Sequence, residues 1–204
     1  MDSLNIMTTS NQSRSIDRRA FVAALLKQFP DALVVSGLGS PSYDVFAAGD
    51  RPSNFYLWGA MGGSTSVALG LAIAQPDKQV IAITGDGEQL MGLGSLATAA
   101  AQRPNNLAVV VLDNGHFGET GMQESHTSLG ANLAAAAKAF GVPNTPEIVS
   151  AEEVSLLVEI IRRREGMTFA QVHISAEACQ RALPPRDGTF VTNRFRQHLG
   201  FAPL

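Results

Sequence analysis

The chain has 204 residues, 45% of them hydrophobic, and a formal net charge of −3. That suits one sizeable core, and the slight acidity gives no footing for nucleic acid. A single cysteine, Cys179, excludes an intrachain disulfide framework and a cysteine metal cluster. No apolar run approaches the length of a membrane span. The stretch Met1–Ser13 lacks the basic-then-apolar order of a signal peptide. The expected setting is cytoplasmic, with no membrane and no nucleic-acid partner.

Residues 1–14 read as a flexible tail. Ser15 or Asp17 caps a first helix, with Phe21, Val22, Leu25, Leu26 and Phe29 on one face, and Pro30 stops it. Ala32–Ser36 is a short buried strand. Gly37-Leu38-Gly39-Ser40-Pro41-Ser42 is a loop, with room for a short helix from Ser42 to Ala48. Phe55–Trp58 is a second strand, and Gly59–Gly63 turns into a helix over Ser64–Ala74. Its small residues Ala68, Gly70 and Ala72 predict close packing. The apolar runs Gln79–Thr84 and Leu107–Leu112 read as buried parallel strands, with one helix over Glu88–Gln102 between them. Gly115–Gly130 is a polar loop long enough to suggest function. A helix over Ala131–Phe140, a strand at Glu147–Val149, a capped helix from Ser150 to about Arg164 and a strand at Thr168–Ile174 complete residues 15–175. Residues 176–204 turn polar and read as a tail, with Arg194-Phe195-Arg196 solvated or packed on a partner subunit. Alternating strand and helix predicts an α/β fold, a three-layer α/β/α domain with a mostly parallel sheet.

The chemistry concentrates at two strand ends. Asp86 in Gly85-Asp86-Gly87 and Asn114 in Asp113-Asn114-Gly115 each follow a predicted strand, where α/β sheets hold ligands. A carboxylate and an amide oxygen suit a hard cation such as Mg²⁺, which completes its shell with phosphate and water. The backbone carbonyl of His116 could give a third ligand. A helix starting after Gly87 would aim free N–H groups at a diphosphate, and Gly85 and Gly87 leave room for its approach. Taken alone, Gly-Asp-Gly is also what an Asp-capped strand-to-helix turn would show. The glycines of Gly37–Ser42 imitate a dinucleotide fingerprint without its third glycine, so an NAD-binding reading is weak.

The spacing of Gly85-Asp86-Gly87 and Asp113-Asn114 resembles the binding motif of thiamine-diphosphate-dependent enzymes, with Asp113 where an asparagine is commoner. Upstream, Leu57-Trp58-Gly59-Ala60-Met61-Gly62 is similar to the stretch whose glycine carbonyl holds the aminopyrimidine and whose bulky residue bends the cofactor. The resemblance implies a thiamine-diphosphate-binding fold, with residues 15–175 as the diphosphate-binding domain and thiamine diphosphate and Mg²⁺ as cofactors. It implies metal ligands at Asp86, Asn114 and the His116 carbonyl. Cofactor contacts would come from Gly39, Ser40, Gly59, Met61, Gly85, Asp86, Gly87, Glu88, Asn114, Thr120 and Gly121.

Gly118-Glu119-Thr120-Gly121-Met122-Gln123 is further similar to the diphosphate-binding part of sulfopyruvate and phosphonopyruvate decarboxylases. That implies one subunit of a 2-oxo acid decarboxylase, inactive until a pyrimidine-binding subunit supplies the activating glutamate, with at least two copies of each chain. The chemistry is then the cofactor's, an electron sink for loss of CO₂. His116, Glu119 and His126 are the candidates for handling protons, with loop or hydrogen-bonding roles as the alternative. Glu119 in the pocket would repel an anionic substrate tail and favour a neutral 2-oxo acid or an aldehyde, as in a carboligase; in solvent it would be neutral to the choice. A nucleotide-binding α/β module without catalysis is the other reading.

Overall fold

The structure, a computed structural model, describes residues 16–204. Its strands are β1 (Leu33–Ser36), β2 (Asn54–Tyr56), β3 (Val80–Gly85), β4 (Leu107–Asp113), β5 (His116–Phe117), β6 (Gln123–Glu124), β7 (Glu147–Ile148) and β8 (Thr168–His173). Its helices are α1 (Arg18–Lys27), α2 (Ser40–Ala47), α3 (Ser64–Ala74), α4 (Asp86–Met91), α5 (Gly94–Gln102), α6 (Leu133–Ala139), α7 (Val154–Arg163) and α8 (Gly188–His198). Six strands make one parallel sheet in the order β2-β1-β3-β4-β8-β7, and β5 and β6 form a separate antiparallel ribbon.

The apolar runs predicted as strands are buried on both faces because alternate residues feed opposite cores. In β4, Ala108, Val110 and Leu112 join α1, α2 and α7 on one face. Leu107, Val109 and Val111 join α3, α5, α6 and α8 on the other. The result is the expected three-layer α/β/α arrangement. Asp17 is the first helix's cap, its Oδ1 accepting the Ala20 N–H at 2.8 Å. Ser15 and the expected tail over residues 1–14 lie outside the described residues.

Three local expectations are corrected. The helix expected over 88–102 is two, α4 starting at Asp86 and α5 after a break at Gly92. Gly92 packs flat on the preceding loop, where a Cβ would lie 2.1 Å from the Gly62 carbonyl oxygen. The loop over 115–130 is organised by the β5–β6 ribbon. The expected tail over 176–204 contains α8, capped by Asp187, whose Oδ1 accepts the N–H groups of Thr189 and Phe190. Phe195 is buried in this chain's own core, edge-on to Phe55 at 5.5 Å, and Arg194 pairs with Asp50 at 2.7 Å. An aromatic side chain at that spacing finds more apolar area on the sheet's α3 side than in solvent.

The site follows from the strand order. From β1 the chain goes outward to β2, then returns past β1 to β3. The connections after β1 and β3 therefore leave on opposite faces, and a crevice opens between them at the strands' carboxyl ends.

Candidate functional site

A cleft of about 150 Å³ fills that crevice. Leu38, Ser40 and Pro41 line it from the β1 side, Met61 from the β2 connection, and Gly85–Glu88 from the end of β3. Leu112 and Asn114 close it at β4, and residues 116–120 of the ribbon form its outer side.

The inner side is a buried acid network. Asp86 is 2% exposed, and its Oδ2 accepts a short hydrogen bond from the Ser125 hydroxyl. Thr127 Oγ1 lies between two carboxylates, 3.2 Å from Asp86 Oδ2 and 2.7 Å from Asp113 Oδ1. Asp113 also accepts the Gly115 N–H at 2.9 Å and the Gln171 amide at 2.7 Å, with His173 Nδ1 3.6 Å away. Burial pushes the Asp86 carboxyl above its ordinary range, the Ser125 hydrogen bond pulls it back, and the Asp113 charge pushes it up again. Two buried carboxylates this close favour a cation beside them.

Asn114 turns the chain back on itself. Its Oδ1 accepts the His116 N–H at 3.0 Å, and its carbonyl oxygen meets His116 Nδ1 at 2.9 Å. A carbonyl can only accept, so this contact is a hydrogen bond when Nδ1 is the donor, and Nε2 takes no part in it. Among the described residues, no group of three or more His, Cys, Asp or Glu could hold a metal. One carboxylate and one amide oxygen instead fit a cation that takes its other ligands from phosphate, backbone and water.

Glu88 links the loops beneath. Its Oε2 accepts the Leu38 N–H at 3.0 Å and occupies the space a Cβ on Gly37 would need, 1.8 Å away. Its Oε1 is buried with no hydrogen-bond partner, although the Thr84 and Ser64 hydroxyls lie near enough to favour the charged form. Burial dominates and raises the Glu88 carboxyl. Gly87 lies under the Phe117 ring, where a Cβ would sit 2.4 Å from a ring carbon.

On the outer side, Glu119 faces the cleft. Ser40 Oγ lies 3.3 Å from its Oε1, and Arg181 Nη2 donates to its Oε2 at 3.1 Å. The structure thus gathers Ser40, Met61, Gly85, Asp86, Gly87, Glu88, Asn114, His116, Glu119 and Thr120 around one cleft. Gly39, Gly59, Gly121 and His126 lie outside its lining, and His126 is exposed. Gly39 and Gly59 shape flanking loops with φ of 72° and 76°, and Gly121 turns the ribbon at φ 125°. Sequence reasoning missed Ser125, Thr127, Gln171 and His173, which order the acids, and Arg181, which pairs with Glu119.

Residues 42–172 match the family described as thiamine pyrophosphate enzyme, C-terminal TPP binding domain. The chain belongs to this family. The sulfopyruvate decarboxylase of Methanosarcina acetivorans is 34% identical over 185 residues, which are 89% of this chain and 47% of that protein. The sulfopyruvate decarboxylase subunit beta of Methanocaldococcus jannaschii is 44% identical over 110 residues, 54% of this chain and 58% of that one. The phosphonopyruvate decarboxylase of Streptomyces viridochromogenes is 36% identical over 173 residues, 83% of this chain and 43% of that one. The chain spans about half the length of these curated relatives. In shape it is similar to the thiamine diphosphate-dependent 4-hydroxybenzoylformate decarboxylase of Rhodococcus jostii RHA1, with a TM-score of 0.69 and 23% identity over 80% of this chain and 33% of that one.

The cleft of this TPP-binding domain fits the diphosphate end of such a cofactor. At Gly85 a Cβ would meet nothing nearer than Pro41 Cγ at 3.9 Å, so the backbone lies open to a ligand. Asp86 beside it carries the raised carboxyl that a cation would relieve. No helix among the described residues is long and apolar enough to cross a membrane.

Proposed function

We propose that this chain is the diphosphate-binding subunit of a thiamine-diphosphate- and Mg²⁺-dependent 2-oxo acid decarboxylase of the sulfopyruvate or phosphonopyruvate type. It works with a pyrimidine-binding subunit that supplies the activating glutamate, with at least two copies of each chain, and is inactive alone. One observation carries the reading. Asp86 and Asn114 stand at the carboxyl ends of adjacent parallel strands and share a single cleft with Met61.

In this reading Asp86, Asn114 and the His116 carbonyl hold Mg²⁺. Gly85, Gly87, Ser40 and Thr120 would receive the diphosphate through backbone N–H and hydroxyl groups, and Met61 would pack against the cofactor. When bound, thiamine diphosphate supplies the electron sink for CO₂ release. Ser125 and Thr127 keep Asp86 turned toward the cation. His116, with Nδ1 committed to Asn114, moves protons through Nε2.

Two further observations support a partner and a 2-oxo acid with an anionic tail. Relatives from three organisms are named beta subunits, and Met61 in the cleft, Val67 and Ile73 on α3 and Met91 on α4 leave apolar surface exposed. Glu119 is paired with Arg181, which removes the electrostatic objection to an anionic tail. The test is to isolate the chain with whatever co-purifies, titrate thiamine diphosphate with Mg²⁺, and measure CO₂ from sulfopyruvate, phosphonopyruvate and pyruvate. Cofactor binding with CO₂ release from the complex, and none from the chain alone, is expected. A co-purified complex that fails to bind thiamine diphosphate overturns the proposal.

A further inference from the structure

Resting on that functional reading, we propose that Arg181, held by Glu119, receives the sulfonate or phosphonate group of the substrate and so sets specificity. A second cleft of about 110 Å³ adjoins the first and shares Arg18, Ser40, Asn114, Gly118 and Glu119 with it. The two clefts are therefore neighbours, bordered by the same five residues.

Three arginines line this second cleft, and two are paired with Asp44 in the same lining. Arg18 Nε donates to Asp44 Oδ2 at 2.6 Å, and Arg19 Nε to Asp44 Oδ1 at 3.4 Å. Arg19 Nη2 also donates to the Gln180 carbonyl. Arg181 differs in exposure: its side chain is 65% exposed against 10% for Arg18 and 29% for Arg19, and among the described residues its one hydrogen bond runs from Nη2 to Glu119. A guanidinium carries five N–H donors in a planar fork, so four remain to meet a tetrahedral oxyanion.

The placement is built from both sides. Residue 180, next to Arg181, is tied to Arg19 at 2.8 Å, and the Pro185 carbonyl accepts the Trp58 indole N–H at 3.0 Å. Glu119 is seated against Gly39, where a Cβ would lie 2.9 Å from its Cγ. The Glu119 and Arg181 side chains are 39% and 65% exposed, so their pairing adds little to folding but orients the fork. Asp44, Glu119 and Glu177 balance the three arginines in the lining. Selection therefore comes from directed donors and not from a net positive field.

The experiment compares the wild-type complex with Arg181→Gln, Arg181→Lys and Glu119→Gln on sulfopyruvate, phosphonopyruvate and pyruvate, with thermal unfolding as a check on folding. Arg181→Gln should raise KM for whichever tailed acid is the substrate by about 10- to 100-fold, the scale of lost charge-assisted hydrogen bonds, with a smaller change in kcat. KM for pyruvate should stay within about 3-fold, below the half-decade that a lost hydrogen bond produces. Arg181→Lys should recover part of the loss, and Glu119→Gln should give a smaller shift of the same kind. The two tailed acids distinguish a sulfonate from a phosphonate. Equal effects on tailed and untailed acids, or no effect in an active complex, overturn the role of Arg181 alone. A wild-type complex that decarboxylates none of the three overturns the functional reading, and this inference falls with it.

Discussion

Asp86 and Asp113, on the inner side of the cleft, are buried, and their oxygens are held by Ser125, Thr127, Gln171 and the Gly115 N–H. Glu119 and Arg181, on the outer side, are exposed and held mainly by each other. The inner groups sit on or beside the central strands β3 and β4, while the outer ones sit in the turn between β5 and β6 and in a segment without regular structure. Rigid strands suit a part that must grip the same cofactor every time. Loops on the rim suit a part that chooses among substrates, because they can change without disturbing the sheet. The inner side would then serve the family's common chemistry, and the outer side this chain's particular substrate.

The comparison can be broken in several places. Phe195→Ala removes the aromatic anchor beyond the segment carrying Arg181. It should cost about 3–5 kcal/mol and lower the melting temperature by roughly 6–20 °C. Below that temperature, cofactor affinity should hold while discrimination between tailed and untailed acids declines. A parallel loss of cofactor affinity would show that the two sides are not separable. Asp86→Ala strikes the inner side directly, and titration should show affinity for thiamine diphosphate with Mg²⁺ falling by roughly 100-fold or more. Tight binding that survives the change would remove Asp86 as a metal ligand.

Gly87→Ala tests the seam between the sides. The added Cβ meets the Phe117 ring, so thermal unfolding should register a loss of about 1–3 kcal/mol. Pairing it with Phe117→Leu should recover part of that loss. The smallest effect concerns pH. The Glu88 carboxyl is raised by burial above its ordinary 4.5, so its contribution to stability is fully present below the unfolded-state value. It is lost as pH rises through the folded-state value. The metal-free chain should therefore weaken as pH climbs above the ordinary carboxylate range, and Glu88→Gln should weaken less. Urea unfolding at pH 5 and pH 8 measures the difference, and identical slopes for the two proteins would contradict it. Asp44 and Asp86 shift in the same direction and set the background.

Asp86 and Asn114 were legible in the sequence because they hang on long apolar runs. Once Val80–Gly85 and Leu107–Asp113 are strands, Asp86 and Asn114 must emerge at the same edge. The outer side, and the Ser125 and Thr127 hydroxyls that order Asp86, were not legible, because their elements are too short to carry a period. His116–Phe117 and Gln123–Glu124 have two residues each, and Ser125 reaches Asp86 only because the ribbon folds back. Gly188–His198 was hidden by its polar content. Its signal was there in Asp187 as a cap and in Val191, Phe195 and Leu199 at four-residue intervals. Glu119 was recognised as decisive but could not be resolved, since Arg181 is 62 residues away in sequence.

Trp58 is the chain's one tryptophan. It precedes Gly59, donates to the Pro185 carbonyl, lies under the Arg186 guanidinium at 5.6 Å and has the Tyr43 ring 6.2 Å away. The molecule thus carries its own optical probe at the junction of the β2 connection and the Arg181 segment. Excitation of Tyr43 can reach it by energy transfer, and the nearby cation tunes its emission. Any event that parts the two segments changes the colour and yield of a single, unambiguous fluorophore, with no label attached.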